Sequence, residues 1–175
     1  LLGSVLSYAF GASPVANTPQ YPIPCSKYVN DYISLLPLTD NEQLVKKLIT
    51  CEQRLGIQCS VVIINRVYYF AKNMSVETFA TNLFNRWGIG DRVKNNGVLL
   101  LVSLEDRCVR IELGTGYQSN NIASSVINSV MLPLFKQGKP QEAVIKGTEA
   151  IITALENKSA PGWGWTPWVF LIALI

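Results

Sequence analysis

The spacing of apolar residues predicts an amphipathic helix between Val76 and Trp87. Apolar side chains recur at helical intervals, so one face of the helix is suited to burial. The members of this face are Val76, Phe79, Ala80, Leu83, Phe84 and Trp87. Gly88 and Gly90 follow directly and end the pattern. Trp87 is the last member of the face, so we assign it to the core rather than to a binding platform.

Two neighbouring strands are predicted after this helix. The run from Val98 to Val102 is continuously apolar, as in a strand that is buried on both faces. From Val109 to Leu113, apolar residues alternate with Arg110 and Glu112, which is the pattern of a strand with one face in water. Only a short acidic turn separates the two runs, so we expect the strands to be adjacent.

The first helix is marked by a capping box and a glycine. Thr39 is placed to accept a helix amide and Glu42 to reach back to it, and the apolar face that follows ends before Gly56. The run from Ser60 to Ile64 predicts another buried strand. The short apolar run from Val67 to Phe70 either extends that strand or forms a loop.

The order of these elements predicts an α/β fold. Ser75 is placed to cap the helix that begins at Val76. Apolar positions from Ile122 to Met131 predict a third helix, and a fourth follows Pro140. Strands that alternate with helices predict a three-layer α/β/α sandwich, with a mixed sheet of about four strands and helices on both faces.

Several of these segments together resemble the TPM domain family, named after a thylakoid lumen protein, a photosystem II repair protein and a nematode receptor modulator. The densest match is FxxxLFxxWGIGDxxxxNGVLLLVxxEDRxVRIELGxGY, which begins at Phe79. Looser matches are VNDYI from Val29 and LPLFKQG from Leu132, so the resemblance covers residues 28–156. It implies the same sandwich architecture. We therefore expect a TPM-like domain at residues 25–158, between an apolar N-terminal segment with a proline-rich linker at 1–24 and a Trp-rich segment at 159–175.

The distribution of charge indicates association with a membrane. Charged residues make up 15% of the chain, against roughly 25% in an ordinary soluble domain. Neither Leu1 to Pro24 nor Ala160 to Ile175 contains a charged side chain. The net charge is only +3 and no Lys/Arg cluster occurs, so we expect no nucleic-acid partner.

The C-terminal segment resembles the start of a membrane anchor. Tryptophans typical of a membrane interface precede an apolar run, in which the contact residues we expect are Trp163, Trp165, Trp168 and Phe170. The apolar run from Val169 to Ile175 is shorter than the roughly 20 residues that span a bilayer. It is either the beginning of a transmembrane helix, which we favour, or a tail that packs on a partner protein. The N-terminal segment is either a retained apolar helix or the remnant of a signal peptide.

The four cysteines do not form a zinc pattern, because no CxxC spacing and no histidine is present. Cys51 lies late in a helix and Cys59 opens a strand, so the short connection through Gly56 could bring them together as a disulfide. That pairing would leave Cys25 and Cys108. The alternative is four buried thiols in a reducing compartment.

Most catalytic chemistry is excluded by the residue types. The absence of histidine removes the commonest general base, and no cysteine has an arginine six residues later, as cysteine phosphatases require. No DxD motif, dinucleotide-binding loop or P-loop occurs, so we expect no nucleotide cofactor. Carboxylates are the remaining candidates for catalytic or metal-binding groups.

A cleft of oxygen ligands is the candidate site. If the loops beside the two neighbouring strands gather at one edge of the sheet, five side chains could converge and bind Ca²⁺ or Mg²⁺. They are Asp31, Asp91, Asn96, Glu105 and Asp106. The TPM resemblance implies this role, since some TPM proteins are described as acid phosphatases with a bound divalent cation. Asp31 and Asp91 are the best catalytic candidates, because they lie within the family-like motifs.

Each acidic residue also has a simpler interpretation. Asp91 would cap a turn, Glu105 and Asp106 would form the tip of a hairpin, and Asp31 would start a helix. The chain also departs from the usual family pattern, in which Lys-Gly-Lys-like sequence follows the aspartate. Here Arg92, Val93 and Lys94 place bulk and positive charge beside the proposed cleft.

Two functions therefore remain open. The first is a membrane-anchored, non-catalytic accessory subunit that assists the assembly or stability of a larger integral membrane protein complex and also contacts lipid. The second is a metal-assisted acid phosphatase that hydrolyses phosphomonoesters. The cysteines fit a soluble domain on a non-cytosolic side of the membrane, in a thylakoid lumen, a mitochondrial intermembrane space or the cell exterior.

Overall fold

The computed structural model describes residues 19–117 and 121–159. Helices and strands alternate along the chain up to the third strand, the fourth strand follows directly, and the described residues from Ile122 onward are mostly helical. The elements are β1 (Val29–Asp31), α1 (Leu38–Leu55), β2 (Cys59–Ile64), a 3₁₀ turn (Val67–Tyr69), α2 (Val76–Trp87), β3 (Val98–Ser103), β4 (Cys108–Leu113), α3 (Ile122–Val126), a π-helical segment (Ile127–Met131), α4 (Leu132–Lys136) and α5 (Pro140–Ser159).

The four strands form one mixed sheet in the order β1-β2-β3-β4. The first three run parallel, whereas β4 is antiparallel to β3, with Ser103 opposite Cys108. We call the edge at which β1, β2 and β3 begin the amino edge, and the edge at which they end the carboxyl edge. Because strand directions are fixed, each connecting loop belongs to one edge or the other.

Two separate cores cover the faces of the sheet. Alternate side chains of a strand point to opposite faces, so Val61 and Leu100 pack beneath α1 and α5, whereas Val62 and Leu101 pack beneath α2. Every residue of β2 and β3 is buried. The predicted three-layer sandwich and its buried central strands are therefore confirmed.

The boundaries of the helices test the predicted caps. Gly56 ends α1 in the left-handed conformation with φ of 67°, as expected. The Ser75 hydroxyl accepts a hydrogen bond from the Thr78 amide at 3.2 Å, so the predicted cap of α2 is confirmed. The capping box at Thr39 is wrong: α1 begins at Leu38, after Pro37, and no side chain caps it. Thr39 already lies inside the helix, so its hydroxyl cannot serve as the first acceptor.

The helical part after β4 is longer than the sequence pattern indicated. The predicted third helix corresponds to α3 and the π-helical segment, and it continues without a break into α4, up to Lys136. The short run from Val67 to Phe70 is mostly a 3₁₀ turn that follows β2, rather than more strand. The fourth helix begins at Pro140 as predicted.

The sequence analysis also predicted the start of a transmembrane helix in the C-terminal segment. Within residues 19–117 and 121–159, no helix combines the length and apolarity needed to cross a bilayer. The predicted interface residues Trp163, Trp165, Trp168 and Phe170 lie outside the described residues, as does the apolar segment that precedes Pro19.

Candidate functional site

The five residues of the predicted oxygen-ligand cleft lie at opposite edges of the sheet. Asp31 ends β1, and Glu105 and Asp106 follow β3, so these three lie at the carboxyl edge. Asp91 and Asn96 precede β3 and lie at the amino edge. A six-residue strand spans about 20 Å, so the expected convergence of all five at one edge is wrong.

At the carboxyl edge, Asp31 is occupied by the backbone that follows it. Its two carboxylate oxygens accept hydrogen bonds from the Ile33 amide at 3.2 Å and from the Leu36 amide at 2.8 Å. These bonds turn the chain from the end of β1 toward α1. Asp31 therefore shapes the connection between two elements and does not start a helix.

Asp106 joins three segments at the same edge. One of its carboxylate oxygens accepts the Val67 amide at 2.8 Å and the Ser103 hydroxyl at 2.7 Å, and the other accepts Arg66 Nε at 3.3 Å. Burial opposes ionisation, but these donors outweigh it and hold the pKa of Asp106 below its ordinary value. The carboxylate fixes the turn between β3 and β4 against the end of β2.

Glu105 is the more exposed of the two residues in that turn. One of its oxygens accepts the Asn65 side-chain amide at 2.6 Å, and the other lies 3.5 Å from the Tyr69 hydroxyl. As predicted, Glu105 and Asp106 form the tip of a hairpin. Both carboxylates bind donors of this protein.

At the amino edge, Asp91 caps its own loop, as in the simpler interpretation. One carboxylate oxygen accepts the amides of Val93 at 2.9 Å and Lys94 at 2.8 Å. Those two bonds lower the pKa of Asp91, and the bond from the Lys94 amide has the larger effect. The Asn96 side chain accepts the Asp91 amide at 3.1 Å and donates to the Gly56 carbonyl at 2.8 Å. We call residues Asp91–Asn96 the tip loop.

Close backbone contacts hold the tip loop. A Cβ atom on Gly90 would overlap the backbone of Gly97, and one on Gly114 would overlap the carbonyl of Asn95. Gly90 also has a φ of 97°, which an L side chain rarely adopts. Only glycine fits at these positions, so Gly90 and Gly114 allow the loops to come into contact.

The carboxylates do not fit a cation site as the sequence analysis proposed it. Calcium sites use six to eight oxygen ligands, several of them carboxylates. At the amino edge Asp91 is the single acidic ligand of the predicted set, and Asn96 uses its amide to fix the tip loop. Among the described residues, no three cysteine or acidic side chains lie close enough to share a metal ion.

A cavity of about 670 Å³ opens at the carboxyl edge, but it does not contain the predicted site. Leu104, Val109 and Phe135 form much of its apolar wall, and Arg107 and Lys136 lie at its border. The predicted acidic ligands do not line it. The cavity therefore provides no carboxylate cleft.

Two residues that support the tip loop were not found by sequence reasoning. The Gln58 side chain accepts the Gly90 amide at 3.1 Å, and the Tyr117 hydroxyl donates to the Asn96 carbonyl at 3.0 Å. Burial raises the pKa of Tyr117, so the hydroxyl remains protonated. Gln58 and Tyr117 are far from the tip loop along the chain, and no local pattern signals their roles.

The cysteines separate into one close pair and two distant residues. Cys51 and Cys59 are buried as free thiols, and the hydrogen bond that Cys59 donates to Cys51, together with deep burial, raises the pKa of Cys59. Their disulfide stays a prediction, which mass mapping under non-reducing conditions checks. Cys25 precedes β1 at the amino edge, whereas Cys108 opens β4 at the carboxyl edge. Three strand spacings of about 4.8 Å separate the flanking strands, so Cys25 and Cys108 cannot pair.

Comparison with known proteins identifies the domain. The TPM domain family matches residues 29–154. A search among curated proteins found no match. The solution structure of the N-terminal domain of a protein from P. gingivalis is 28% identical, with a TM-score of 0.67, over 75% of this chain and 83% of that one.

Two further solution structures share the fold. The BA42 protein of the psychrophilic bacterium Bizionia argentinensis is 20% identical, with a TM-score of 0.60, over 73% of this chain and 86% of that one. The N-terminal domain of a protein from Corynebacterium glutamicum is 15% identical, with a TM-score of 0.60, over 84% of this chain and 93% of that one. At these identities the similarity concerns the fold alone.

Proposed function

We propose that this chain, which belongs to the TPM domain family, is a non-catalytic accessory subunit. The fold does not by itself specify a role, so the proposal depends on the observations that follow. In this proposal it is held at a membrane by its uncharged segments and assists the assembly or stability of a larger integral membrane protein complex. It contacts both that complex and lipid.

The observation that carries the proposal is the use of the acidic side chains. Asp31, Asp91 and Asp106 each accept two or more hydrogen bonds from this chain. Their lone pairs are directed to amides and a hydroxyl that hold turns in place. A general acid would need a raised pKa, whereas the pKa of Asp91 and that of Asp106 are lowered. This arrangement favours a structural role for the carboxylates.

The ends of the described chain give the proposal an orientation. The Gln20 amide donates to the Phe70 carbonyl at 2.8 Å, beyond the carboxyl end of β2. At the other end, Arg54 pairs with Glu156 at 2.7 Å, so α5 finishes beside the end of α1 at the amino edge. The described chain therefore begins near the carboxyl edge, whereas α5 ends at the amino edge. If the C-terminal segment is the anchor, the amino edge faces the membrane.

Membrane extraction tests the accessory role. We expect the full chain, in mild detergent, to co-migrate with a large membrane complex on a native gel. High salt should not release it, because salt weakens exposed ion pairs but leaves apolar contacts intact. A mock wash at low salt is the control. Quantitative release by salt alone, as a monomer, would contradict the proposal.

The phosphatase is the second candidate, and Asp91 is the observation in its favour. Its carboxylate is exposed, so substrate and metal could reach it. This function predicts turnover of a generic phosphomonoester with Ca²⁺ or Mg²⁺ that is lost on chelation and in Asp91→Asn. Asp106→Asn is the matched control, since that residue lies at the opposite edge. No turnover above buffer for the wild-type chain would eliminate the phosphatase and leave the accessory role.

A further inference from the structure

We propose that the tip loop, Asp91–Asn96, docks on an anionic lipid surface. Val93 enters the interface between headgroups and acyl chains, and Arg92 and Lys94 bind the lipid phosphates. This inference rests on the proposed membrane location, and it adds the face of the domain and the lipid chemistry.

The first observation is that the tip loop presents an apolar residue to water. Val93 is 91% exposed, the highest value among the exposed large apolar residues of the described chain. Single exposed apolar residues are common and need no explanation alone. Here, however, Arg92 and Lys94 flank the valine and are exposed as well. An apolar side chain between two cations offers an anionic membrane interface both apolar area and positive charge, the two contributions on which such binding depends.

The second observation is that neither cation is engaged in an ion pair. Among the residues that the structure describes, seven ion pairs occur and none includes Arg92 or Lys94. The nearby Asp91 attracts Lys94, but one of its oxygens is already bound to two backbone amides. Both cations are therefore available to bind phosphate groups.

The third observation is that the tip loop is built as a fixed structure. Asp91 accepts two amides of the loop, Asn96 ties it to Gly56, and Tyr117 donates to the Asn96 carbonyl. Gly90 and Gly97 lie in backbone contact beneath it. A loop that is already ordered loses little conformational freedom on docking, so its contacts are retained as binding energy.

The fourth observation is the position of the tip loop relative to the C-terminal segment. Asn96 donates to the Gly56 carbonyl at the end of α1, and Arg54 pairs with Glu156 in the last turns of α5. The tip loop and the end of α5 thus share the amino edge. The last described residues of α5 therefore lie at the edge that carries the tip loop.

The opposite edge is the competing surface, and its charge argues against it. Leu38 and Tyr69 are exposed at 76% and 64%, so the carboxyl edge also presents apolar surface. Glu105 and Asp106 lie at that edge beside Tyr69 and Val67. Anionic lipid would repel these carboxylates, although Arg107 and Lys136 also lie near this edge outside the ion pairs of the described residues. The tip loop instead presents two cations with one carboxylate that is already bound to amides, which favours the amino edge.

Partitioning of the full chain between water and lipid vesicles tests the inference. Two vesicle types are compared at limiting lipid: phosphatidylcholine alone, and phosphatidylcholine with a 30% share of phosphatidylserine, a composition chosen to give a negative surface. The uncharged segments contribute equally in every variant, so the ratio of the two partition coefficients isolates the charge-dependent part. We expect the wild-type chain to prefer the anionic vesicles.

A matched pair of double variants locates that preference. Arg92→Gln with Lys94→Gln should reduce the preference about 25-fold, since each cation near an anionic surface contributes about a factor of five. Lys72→Gln with Lys136→Gln removes the same charge away from the tip loop and should leave the preference unchanged. Val93→Thr, which keeps the shape but adds a hydroxyl, should weaken binding to both vesicle types several-fold.

A wild-type chain without anionic preference, or an equal loss in both double variants, would overturn the inference. Tip-loop variants that lose the membrane complex but keep vesicle binding would also overturn it, and they would identify an acidic protein surface instead. If the tip-loop variants bind vesicles as the wild type does while the chain still co-migrates with its complex, this inference fails and the accessory function stands. Release of the chain from the membrane by salt alone would contradict the accessory function, and this result is independent of the vesicle experiment.

Discussion

The two edges of the sheet use polar residues in opposite ways. At the carboxyl edge, Asp31 and Asp106 direct their charges inward to amides and to Arg66, and they stabilise the turns that end the strands. At the amino edge, Asp91 also caps a turn, but Arg92 and Lys94 extend into solvent without an ion pair among the described residues. The acidic residues Asp31 and Asp106 of the carboxyl edge are used in folding, whereas the tip loop keeps two cations outside the ion pairs of the described residues.

This difference between bound carboxylates and unpaired cations indicates where a ligand or partner can bind the domain. A carboxylate that already accepts several hydrogen bonds must give them up before it can bind a ligand, which costs about 1–3 kcal/mol for each donor left unpaired. An exposed cation on a fixed loop pays no such penalty. The acidic residues that first suggested a catalytic cleft are therefore the poorer candidates for contact with a partner.

The largest loss of stability is expected for a substitution at the amino edge, at Gly90. Gly90→Ala should destabilise the protein by about 3 kcal/mol, because the new methyl group would overlap the Gly97 backbone and φ is 97°. Chemical denaturation followed by circular dichroism measures the loss. Gly88→Ala is the matched control: its φ of 60° is also left-handed, but open space surrounds it, so we expect about 1 kcal/mol. Equal losses in both variants would show that the backbone contact is not what matters.

A smaller effect is expected at the carboxyl edge. Asp106→Ala should lower the free energy of unfolding by about 2 kcal/mol, because the Val67 amide and the Ser103 hydroxyl lose their acceptor. Glu105→Ala, in the same turn but exposed, should cost less than about 1 kcal/mol. If Glu105→Ala proved the more damaging, the assignment of Asp106 as the joint between β2, β3 and β4 would be wrong.

The pH dependence of the unfolding free energy gives a smaller but independent test of Asp106. The pKa of Asp106 is lowered in the folded protein, so its carboxylate stabilises the fold above the ordinary value of 3.8. This contribution is lost as the pH falls through the lowered pKa. The difference in unfolding free energy between wild type and Asp106→Ala should therefore be constant near neutral pH and shrink below about pH 4. A difference that grows on acidification would contradict the hydrogen bonds to the carboxylate.

The smallest effect concerns Asp91. Asp91→Ala should leave global stability almost unchanged, because the residue is fully exposed, but the tip loop should open more often. Hydrogen exchange at the Val93 and Lys94 amides should become faster, since both have lost their acceptor. Arg92→Ala serves as the control and should leave these exchange rates as they are. Unchanged rates in Asp91→Ala would show that the carboxylate does not order the loop.

Sequence reasoning succeeded where the signal is local. The cap at Ser75, the stop at Gly56 and the buried runs of β2 and β3 depend on neighbours a few residues apart, and all were predicted. The Thr39 cap failed because α1 begins two residues before the position that this cap requires. The turn that begins at Glu105 was also recognised, since adjacent alternating strands need only a short connection.

The candidate site failed because it required long-range geometry. Asp91 precedes β3 and Glu105 follows it, so the length of the strand separates them whatever the rest of the fold does. Gln58 and Tyr117, which fix the tip loop, were missed because their partners lie more than 20 residues away in the sequence. Hydrogen bonds across such separations leave no periodic trace.

By itself the sequence determined the order of the elements from α1 to β4, the two buried central strands, the resemblance to the TPM domain family and the uncharged ends, but it did not mark β1. These properties follow from residue type and local spacing. Only the tertiary structure decided which edge each loop occupies, which carboxylates are bound by the fold and which cations remain free. The physical reason is that strand direction and the packing of distant loops against one another assign each side chain its neighbours.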